Sequence, residues 1–365
     1  MPAKHDGDAV AAQLEAAEGG GAIAIGPHRL EVTNLDKALW PARSRKRALT
    51  KRDLLVYLAR VSPHLLAHLK GRPVFVTRFP HGIDGKSFYQ KVWEDPPPFV
   101  KTVRIWSSDN DAERDYLLCD NLATLIWLGQ LASLELHAWF SRVTAGNDTR
   151  GLGASFGRSE ATLDRSRLNY PDFIVFDLDP YEYSGKEKPG DEPELHRRAF
   201  NRTRALALEL REIGQSLGLE TFVKTSGRTG LHLYLPIRRR LTFDEARAAA
   251  ETIGRHLAQR RPTEVTLEWA VKKRRGKIFF DYNQNVRGKS LAAPYSPRRH
   301  AAGTVAMPIT WDELETVYPT DYTMLTAPGV LAERGDPWAD ILESKGDLHA
   351  ALAGAGALER PRRGA

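Results

Sequence analysis

The segment that most constrains the fold is Phe173–Pro180, which reads Phe-Ile-Val-Phe-Asp-Leu-Asp-Pro. Its four leading apolar residues form a short run of the kind found in buried strands. Because alternate residues of a strand share a face, Asp177 and Asp179 should point the same way while Leu178 points into the core. Two such carboxylates repel each other unless a cation lies between them, and their oxygens suit Mg²⁺ or Mn²⁺. The alternative is a solvated strand end, because an isolated Asp-x-Asp is common.

The overall composition is that of a globular protein with a positive excess. Its 365 residues are 42% hydrophobic and 27% charged, enough for two modest domains or one large one. The net charge of +7 favours a polyanionic partner such as nucleic acid. A single cysteine, Cys119, excludes a disulfide framework and a cysteine-rich zinc site, so the cytoplasm is the expected location. The chain has neither an apolar run of membrane-span length nor a signal-peptide core, so no membrane partner is expected.

Composition shifts divide the chain into five predicted regions of an α+β fold. The leading residues are rich in Ala, Gly and Glu and predict a disordered leader, and the stretch before Asn169 is rich in Gly, Ser and Arg and predicts a connection. The predicted regions are a leader over 1–21, an N-terminal DNA-binding α/β module over 22–145, a connection over 146–169, a catalytic core over 170–330, and a C-terminal helix and tail over 331–365.

Capping patterns and apolar runs predict the main helices and strands. Helices are expected after three capping boxes, at Thr50 with Asp53, Thr242 with Glu245, and Thr310 with Glu313. A long helix is expected over Pro193–Leu217, and an apolar, buried one from Asp120 or Asn121 to about His137. Further strands are expected over His28–Thr33, Val74–Arg78, Ser87–Val92, Tyr116–Cys119, Thr221–Lys224, Leu231–Ile237, Val265–Trp269 and Lys277–Asp281.

A glycine-containing loop follows the strand that ends at Lys224. Gly227 and Gly230 allow backbone N–H groups to approach an anion closely, and the Ser226 hydroxyl and the Lys224 charge can join them. On the next strand, His232 should face the same pocket and can contact a phosphate oxygen. The alternative is an ordinary hairpin whose histidine packs on the sheet.

A third segment, Lys272–Asp281, is a basic run followed by an apolar strand that ends in an acid. Asp281 could therefore complete a three-carboxylate site with Asp177 and Asp179. Further along the chain, Arg298 brings another guanidinium group. Strand-end acids, a glycine loop and flanking arginines together indicate phosphoryl transfer with two metal ions.

Two features of the N-terminal half are typical of nucleic-acid contacts. Phe88 and Tyr89 lie next to Lys91, and such aromatic residues can stack on bases while the lysine pairs with phosphates. They could equally belong to a sheet core. A basic cluster, whose alternative is a solvated face, comprises Arg43, Arg45, Lys46, Arg47, Lys51 and Arg52.

Taken in order, these motifs resemble those of a known family. Asp177-Leu178-Asp179-Pro180, Ser226-Gly-x-x-Gly-x-His232 and Phe280-Asp281 are similar to the three motifs of the archaeo-eukaryotic primase superfamily, and more narrowly to the polymerase domain of bacterial ligase D, from non-homologous end joining. The similarity covers roughly Glu31 to Leu325. It extends to the segments 33–37, 88–91, 134–137 and 293–296.

The resemblance implies a primase-polymerase core with a mixed or antiparallel sheet flanked by helices. It implies a template-directed nucleotidyltransferase that fills short gaps or extends ends in DNA repair, uses two Mn²⁺ or Mg²⁺ ions, and favours ribonucleotides. One ion would lower the pKa of the primer 3′-hydroxyl, and the other would stabilise the leaving pyrophosphate. The implied partners are gapped DNA or DNA ends, preferably 5′-phosphorylated, NTP or dNTP, end-joining proteins and a separate ligase.

The resemblance also implies roles for individual residues. The catalytic metal ligands would be Asp177, Asp179 and Asp281. The nucleotide would be held by Ser226, Gly227, Gly230, His232, Arg274, Gln284 and Arg298. DNA contacts would come from Phe88, Tyr89 and Lys91, with Lys37 and Lys51 on a downstream 5′-phosphate. His137 and Lys224 would have supporting roles.

The sequence also departs from the family pattern. Thr229 stands where a lysine is common in the Ser-Gly loop, and the segments before Asn169 and after Pro180 are longer than usual. Neither a ligase Lys-x-Asp-Gly motif nor a nuclease module occurs, so a free-standing polymerase is expected. Two alternatives stay open: a primase-like enzyme that starts chains de novo, and a DNA-end-binding module without catalysis.

Overall fold

The computed structural model describes residues 6–43, 47–182 and 193–354. The helices are α1 Asp6–Ala16, α2 Lys51–Leu69, α3 Leu122–Gln130, α4 Glu160–Asp164, α5 Arg197–Ser216, α6 Phe243–Arg260, α7 Ala327–Arg334 and α8 Leu348–Gly354. The first eight strands are β1 Gly21–Ile25, β2 His28–Val32, β3 Ala38–Trp40, β4 Leu49–Thr50, β5 Pro73–Arg78, β6 Phe88–Gln90, β7 Lys101–Ser107 and β8 Ala112–Leu118. The others are β9 Ser133–Trp139, β10 Phe173–Pro180, β11 Phe222–Thr225, β12 Leu231–Pro236, β13 Val265–Thr266, β14 Ile278–Asp281, β15 Ser290–Ala292 and β16 Pro308–Ile309.

The first of two large sheets, here called the catalytic sheet, has the order β13-β14-β10-β12-β11-β16. Its strands pair antiparallel except for β13 with β14, so it is a mixed sheet. Ile174, Phe176 and Leu178 of β10 share one core with Phe200 and Leu210 of α5. Because side chains alternate along a strand, the acids of β10 lie on the other face. The predicted α+β class with a mixed sheet is confirmed.

The second large sheet has the order β15-β9-β5-β8-β7, with β6 paired to β5. Helices α2 and α3 pack against each other, and α3 packs on β9. Strand β15 belongs to the predicted catalytic core over 170–330, yet it pairs with β9 and so completes this N-terminal sheet. A boundary near residue 145 therefore does not separate the two sheets.

The predicted disordered leader over 1–21 is wrong for its described part. Residues 6–16 form α1, and β1 begins at Gly21 and pairs with β2. Val10 and Leu14 are buried in the main hydrophobic core, and this packing stabilises the helix. Arg52 of α2 also donates hydrogen bonds to the carbonyls of Leu14 and Ala17.

The predicted helix reaching His137 is also wrong in its second half. Asn121 caps α3, but the helix ends at Gln130, and β9 begins at Ser133. Ala132 has a positive φ of 57°, so the chain turns there before it enters the strand. The predicted helical segment is mostly apolar, so the alternation of polar and apolar side chains that indicates a strand was not recognised in its second half.

Other predicted elements differ in length. The box at Thr310 and Glu313 forms both of its hydrogen bonds, but it caps only a 3₁₀ turn over Glu313–Glu315. The helix expected from Pro193 begins at Arg197, after the cap His196. The predicted connection contains the short helix α4. Arg45, Lys46, most of the loop after Pro180 and the tail from 355 lie outside the described residues.

A buried ionic cluster around Asp172 joins distant parts of the chain. The carboxylate of Asp172 is fully buried and contacts Arg72 at 2.9 Å and Arg142 at 2.9 Å. It also contacts Arg239 at 3.6 Å and Lys345 at 2.5 Å. The cluster therefore ties the start of β5 to the segment between α7 and α8. None of the described helices is long and apolar enough to cross a membrane.

Candidate active site

Four side chains form a continuous row across the catalytic sheet. Strand register pairs Lys224 with His232, His232 with Asp177, and Asp177 with Asp281. Directly paired residues of neighbouring strands lie on the same face of a sheet. The row therefore carries two acids and two basic groups on the face that α5 leaves open, and all four side chains are buried.

Asp177 occupies an unusual position in this row. One of its oxygens, Oδ1, is buried without a hydrogen bond, although His232 Nε2 lies 3.4 Å away. Burial raises the pKa of Asp177 well above its usual range, and the charges of Asp179 and Asp281 raise it further. A buried carboxylate with an unsatisfied oxygen beside two other acids is the environment that a bound cation would relieve.

The other two acids are held differently. Asp281 accepts hydrogen bonds from the Asn283 backbone and the Gln284 side chain, both at 2.9 Å, and burial raises its pKa. The Asp179 carboxylate lies against Gly230, where a Cβ would meet its Oδ1 at 2.6 Å. Within 6–43, 47–182 and 193–354, no three His, Cys, Asp or Glu side chains already stand as a ready set of metal ligands. The predicted three-carboxylate site is thus not preformed.

The Ser-Gly loop lies directly beside the acids. Ser226 Oγ accepts hydrogen bonds from the backbone N–H of Arg228 at 3.2 Å and Gly230 at 3.0 Å. Gly227 has a φ of 74°, and a Cβ there would collide with Arg298 and with the Val305 carbonyl. Glycine is therefore required for the close approach of this loop to Arg298.

Lys224 and His232 form a buried basic pair behind Asp177. Lys224 Nζ lies 2.7 Å from His232 Nδ1. Burial lowers the pKa of both groups well below their usual ranges, and the charge of Arg298 lowers both further. Because Asp177 is the one acid of the row that contacts this pair, at 3.4 Å from His232, a bound anion would stabilise the charged forms of both groups further.

Arg298 reaches the site from the loop that follows β15. Its Nε lies 3.3 Å from Glu135 Oε1 on β9, and the same oxygen accepts a hydrogen bond from the Arg299 backbone at 2.9 Å. His137 Nε2 lies 3.8 Å from Glu135 Oε2. Burial alone would raise the pKa of Glu135, but Arg298 and His137 hold it well below its usual range. Glu135 is a site residue that the sequence predictions missed.

Arg274 is close to the acids, but its guanidinium group is already engaged. It donates hydrogen bonds to the Glu268 carbonyl at 2.9 Å and to the Tyr181 hydroxyl at 2.9 Å. It also donates to the Trp269 carbonyl and lies 3.5 Å from the centre of the Phe279 ring. To hold a triphosphate, as the motif resemblance implies, Arg274 would have to leave some of these partners.

A cleft of about 570 Å³ lies on the second sheet. Its lining comes from the second sheet, from the 3₁₀ turn after β14 and from the segment that leads into β15, and it includes Phe75, Tyr89, Lys91, Trp139, Gln284, Arg287, Lys289 and Ser290. Gln284 links the cleft to the row of acids through its hydrogen bond to Asp281. Arg287 is held by Glu160 and Asp164 of α4, so the predicted connection helps to shape this wall.

The predicted stacking residues lie on β6. Phe88 and Tyr89 are 44% and 47% exposed, so neither belongs to the sheet core. The guanidinium group of Arg78 lies 4.9 Å from the Phe88 ring centre, and the Tyr89 ring contacts His137 edge-on. Exposed rings supported from behind are suited to stacking on a base.

The two lysines predicted to bind a 5′-phosphate lie close together, away from the cleft lining. Lys37 is exposed, whereas Lys51 is only 7% exposed and its Nζ donates a hydrogen bond to the Thr33 carbonyl at 3.1 Å. Burial lowers the pKa of Lys51, and the charge of Lys37 lowers it further. Lys51 is thus a buried cation beside another cation.

Comparisons with known proteins agree on one family. A family model described as the LigD primase-polymerase domain matches residues 50–338. The bifunctional non-homologous end joining protein LigD of Bacillus subtilis is 30% identical over 322 residues, which cover 87% of this chain and 45% of that protein. A multifunctional LigD of Mycobacterium tuberculosis is 31% identical over 86% of this chain and 38% of its own length. The chain thus spans less than half the length of these relatives.

A solved structure gives the same result for the fold. The polymerase domain of Mycobacterium tuberculosis ligase D, solved in complex with DNA, superposes with a TM-score of 0.71 and 29% sequence identity. The match covers 87% of this chain and 99% of that domain. The chain therefore belongs to the LigD primase-polymerase domain family, whose members are polymerase-type nucleotidyltransferases.

Proposed function

We propose that the protein is a template-directed nucleotidyltransferase that fills short gaps or extends DNA ends during end-joining repair. The observation that carries this proposal is the row of Lys224, His232, Asp177 and Asp281, with one Asp177 oxygen buried and unsatisfied. Acids and bases on one face match a reaction in which a cation and a polyanionic triphosphate bind together. The DNA-bound relative supports a DNA substrate for this chain.

Asp177, Asp179 and Asp281 would hold one or two Mn²⁺ or Mg²⁺ ions, which activate the primer hydroxyl and neutralise phosphate charge. The donor set fits such ions because it consists of carboxylate oxygens. The lack of a preformed triad among the described side chains is compatible with this, since Mg²⁺ is usually bound by one or two carboxylates together with substrate phosphates.

The chain's own groups would bind and orient the nucleotide. Lys224 Nζ lies 2.7 Å from His232 Nδ1, and in the tautomer that carries the ring proton on Nε2 this proton would point toward Asp177 and a neighbouring phosphate. Arg298 has no hydrogen bond from Nη1 or Nη2 to any described residue, so both nitrogens can serve the triphosphate. In the Ser-Gly loop, the backbone N–H groups of Arg228 and Gly230 donate to Ser226 Oγ, so they would have to exchange this oxygen for a phosphate oxygen to bind the nucleotide.

Contacts outside the row would position the DNA. Phe88 and Tyr89 would stack on the template or the incoming base, and Lys91 would pair with phosphate. Lys37 and Lys51 would bind the 5′-phosphate beyond a gap, because a terminal phosphate carries more charge than an internal one. We also propose a preference for ribonucleotides, and cooperation with end-joining proteins and a separate ligase.

The test is primer extension on a gapped, 5′-phosphorylated DNA with Mn²⁺, comparing NTP with dNTP. Extension that requires both the primer and the template supports the proposal. Product formed on a template without a primer would instead identify a primase-like enzyme. Binding of the gapped DNA without any extension would identify an end-binding module without catalysis.

A further inference from the structure

Glu135 is a buried acid beside Arg298, a residue proposed to bind the nucleotide triphosphate. It lies on β9 of the second sheet, and its side chain is 11% exposed. It contacts none of the three catalytic-sheet acids but meets two basic side chains, Arg298 and His137. A carboxylate near a triphosphate would repel it, so Glu135 would weaken nucleotide binding unless it has another role at the site.

Glu135 forms a buried ion pair with the Arg298 side chain, in which Arg298 Nε makes no hydrogen bond. Glu135 Oε1 faces the Nε of Arg298 at 3.3 Å and also accepts the Arg299 backbone N–H at 2.9 Å. The aliphatic part of Arg298 lies against Gly227, where even a Cβ would come within 2.6 Å of it. Contacts with Glu135 and with the loop glycine therefore both restrict the Arg298 side chain.

We infer that Glu135 is a positioning residue that sets the orientation of Arg298 for the nucleotide triphosphate. This inference rests on the proposed function, because it assigns the anion that Arg298 receives. It also connects the two sheets at the site, since Glu135 belongs to β9 of the second sheet and Arg298 packs against Gly227 in the loop between β11 and β12 of the catalytic sheet. Holding one edge of a guanidinium group leaves its other edge ready for bidentate contact with phosphate oxygens.

The substitution Glu135→Gln distinguishes a role in orienting Arg298 from simple repulsion between the Glu135 charge and the triphosphate. Loss of a negative charge near the triphosphate should by itself strengthen nucleotide binding. If Glu135 positions Arg298, the same substitution should weaken binding of ATP with Mn²⁺ by about tenfold and raise KM more than it lowers kcat. Glu135→Asp, which keeps the charge on a shorter side chain, should recover part of the loss.

A double-mutant cycle with Arg298→Gln identifies the residue through which Glu135 acts. In the Arg298→Gln background, Glu135→Gln should change ATP affinity by less than about twofold. Glu212→Gln, on the exposed side of α5, is the matched control and should leave ATP affinity unchanged. Thermal melting of each variant verifies that it is folded, and Glu135→Asp replaces Glu135→Gln in the cycle if the latter does not fold.

The outcomes distinguish this inference from the proposed function. Unchanged or tighter ATP binding in Glu135→Gln, or additive effects in the cycle, would overturn the positioning role. If Arg298→Gln alone leaves ATP binding and extension unchanged, the triphosphate site itself is wrong. Weakened binding in both single variants with a non-additive double variant supports the inference.

Discussion

Asp177 and Asp281 are direct register partners on the antiparallel strands β10 and β14, and both are buried. Like charges placed opposite each other on neighbouring strands destabilise a sheet. The fold thus keeps an unfavourable pair at its centre, where a different pair of residues would be more stable. Sites that bind cations commonly accept this kind of destabilisation in the free protein.

The first prediction concerns Asp177→Asn. We expect the variant to lose primer extension while its metal-free form is more stable than the wild type by at least about 1 kcal/mol at neutral pH. Because the folded-state pKa of Asp177 is raised, wild-type stability should fall as pH rises through that pKa. The gain from asparagine should therefore shrink in acid and vanish below the ordinary value of 3.8.

Thermal unfolding in EDTA from about pH 4 to pH 8 measures this difference. Added Mn²⁺ should raise the Tm of the wild type and have little effect on the variant. Asp312→Asn, at an exposed position whose side chain makes no capping hydrogen bond, is the control. Equal stability of Asp177→Asn and wild type across this pH range would show that the charged Asp177 does not destabilise the metal-free protein.

The second prediction concerns Gly230→Ala. The new Cβ would lie 2.2 Å from the Leu178 carbonyl and 2.6 Å from Asp179 Oδ1, so backbone or carboxylate must move. We expect extension to fall by at least about tenfold, since misplacement of a reacting group by one ångström can reduce the rate a hundredfold. Gly329→Ala in α7, where a Cβ meets nothing within 4 Å, should be neutral or slightly stabilising.

Steady-state extension kinetics together with thermal melting test the glycine prediction. A Gly230→Ala variant with wild-type kcat and KM would show that the loop and Asp179 are not tightly coupled. A similar loss of activity in Gly329→Ala would show that the effect is not specific to the loop.

The third prediction concerns Lys51→Met. A buried ammonium beside Lys37 is unfavourable, and methionine retains the aliphatic volume without the charge. We expect the variant to be at least as stable as the wild type, yet to lose the preference for a 5′-phosphate over a 5′-hydroxyl on gapped DNA. Binding to both substrates at one fixed salt concentration measures the preference. Exposed Lys70→Met is the control, and a preference that survives in Lys51→Met would remove this residue from the phosphate site.

The fourth prediction concerns the ionic cluster around Asp172. Asp172→Asn should reduce the free energy of unfolding by about 3–5 kcal/mol, because it leaves the buried Arg72 and the neighbouring Arg142 without their carboxylate partner. Denaturant unfolding measures the loss, and exposed Asp312→Asn again serves as the control. A loss below about 1 kcal/mol would show that the cluster contributes little.

Acidic pH should destabilise the same ionic cluster by protonating Asp148, which pairs with Arg239 and Lys345. Burial alone would raise the pKa of Asp148, but Lys345 and Arg239 lower it to about 2. The stability that Asp148 contributes is therefore present above the ordinary value of 3.8 and is lost as pH falls toward about 2. In Lys345→Met the acid transition should begin at a higher pH, and an unchanged transition would contradict this assignment.

Local patterns predicted much of the catalytic sheet and two of the main helices. The run ending in Asp177 and Asp179, and the boxes at Thr50 and Thr242, formed the expected strand and helices because their signals lie within a few residues. The predicted alternation of Leu178 with its neighbouring acids is likewise observed, since Leu178 is fully buried.

Features that depend on distant contacts could not be predicted this way. Glu135 lies in the segment 134–137 that resembles the family, but its contacts with Arg298 and Arg299, more than a hundred residues further along the chain, could not be predicted from that segment. Only the alternation within Ser133–Trp139 could have indicated a strand there. Helix α1 was missed for the same reason, because it is held by α2 rather than by its own composition.

The pairing of β15 with β9 limits how the chain can be divided into separate pieces. Strand β15 leaves the catalytic half of the chain and pairs with β9, so residues 22–145 expressed alone would leave one side of β9 with unpaired backbone groups. Such an open edge can recruit strands from other molecules. Exchange of one half of the chain with a relative at its midpoint would therefore separate β15 from the other strands of its sheet.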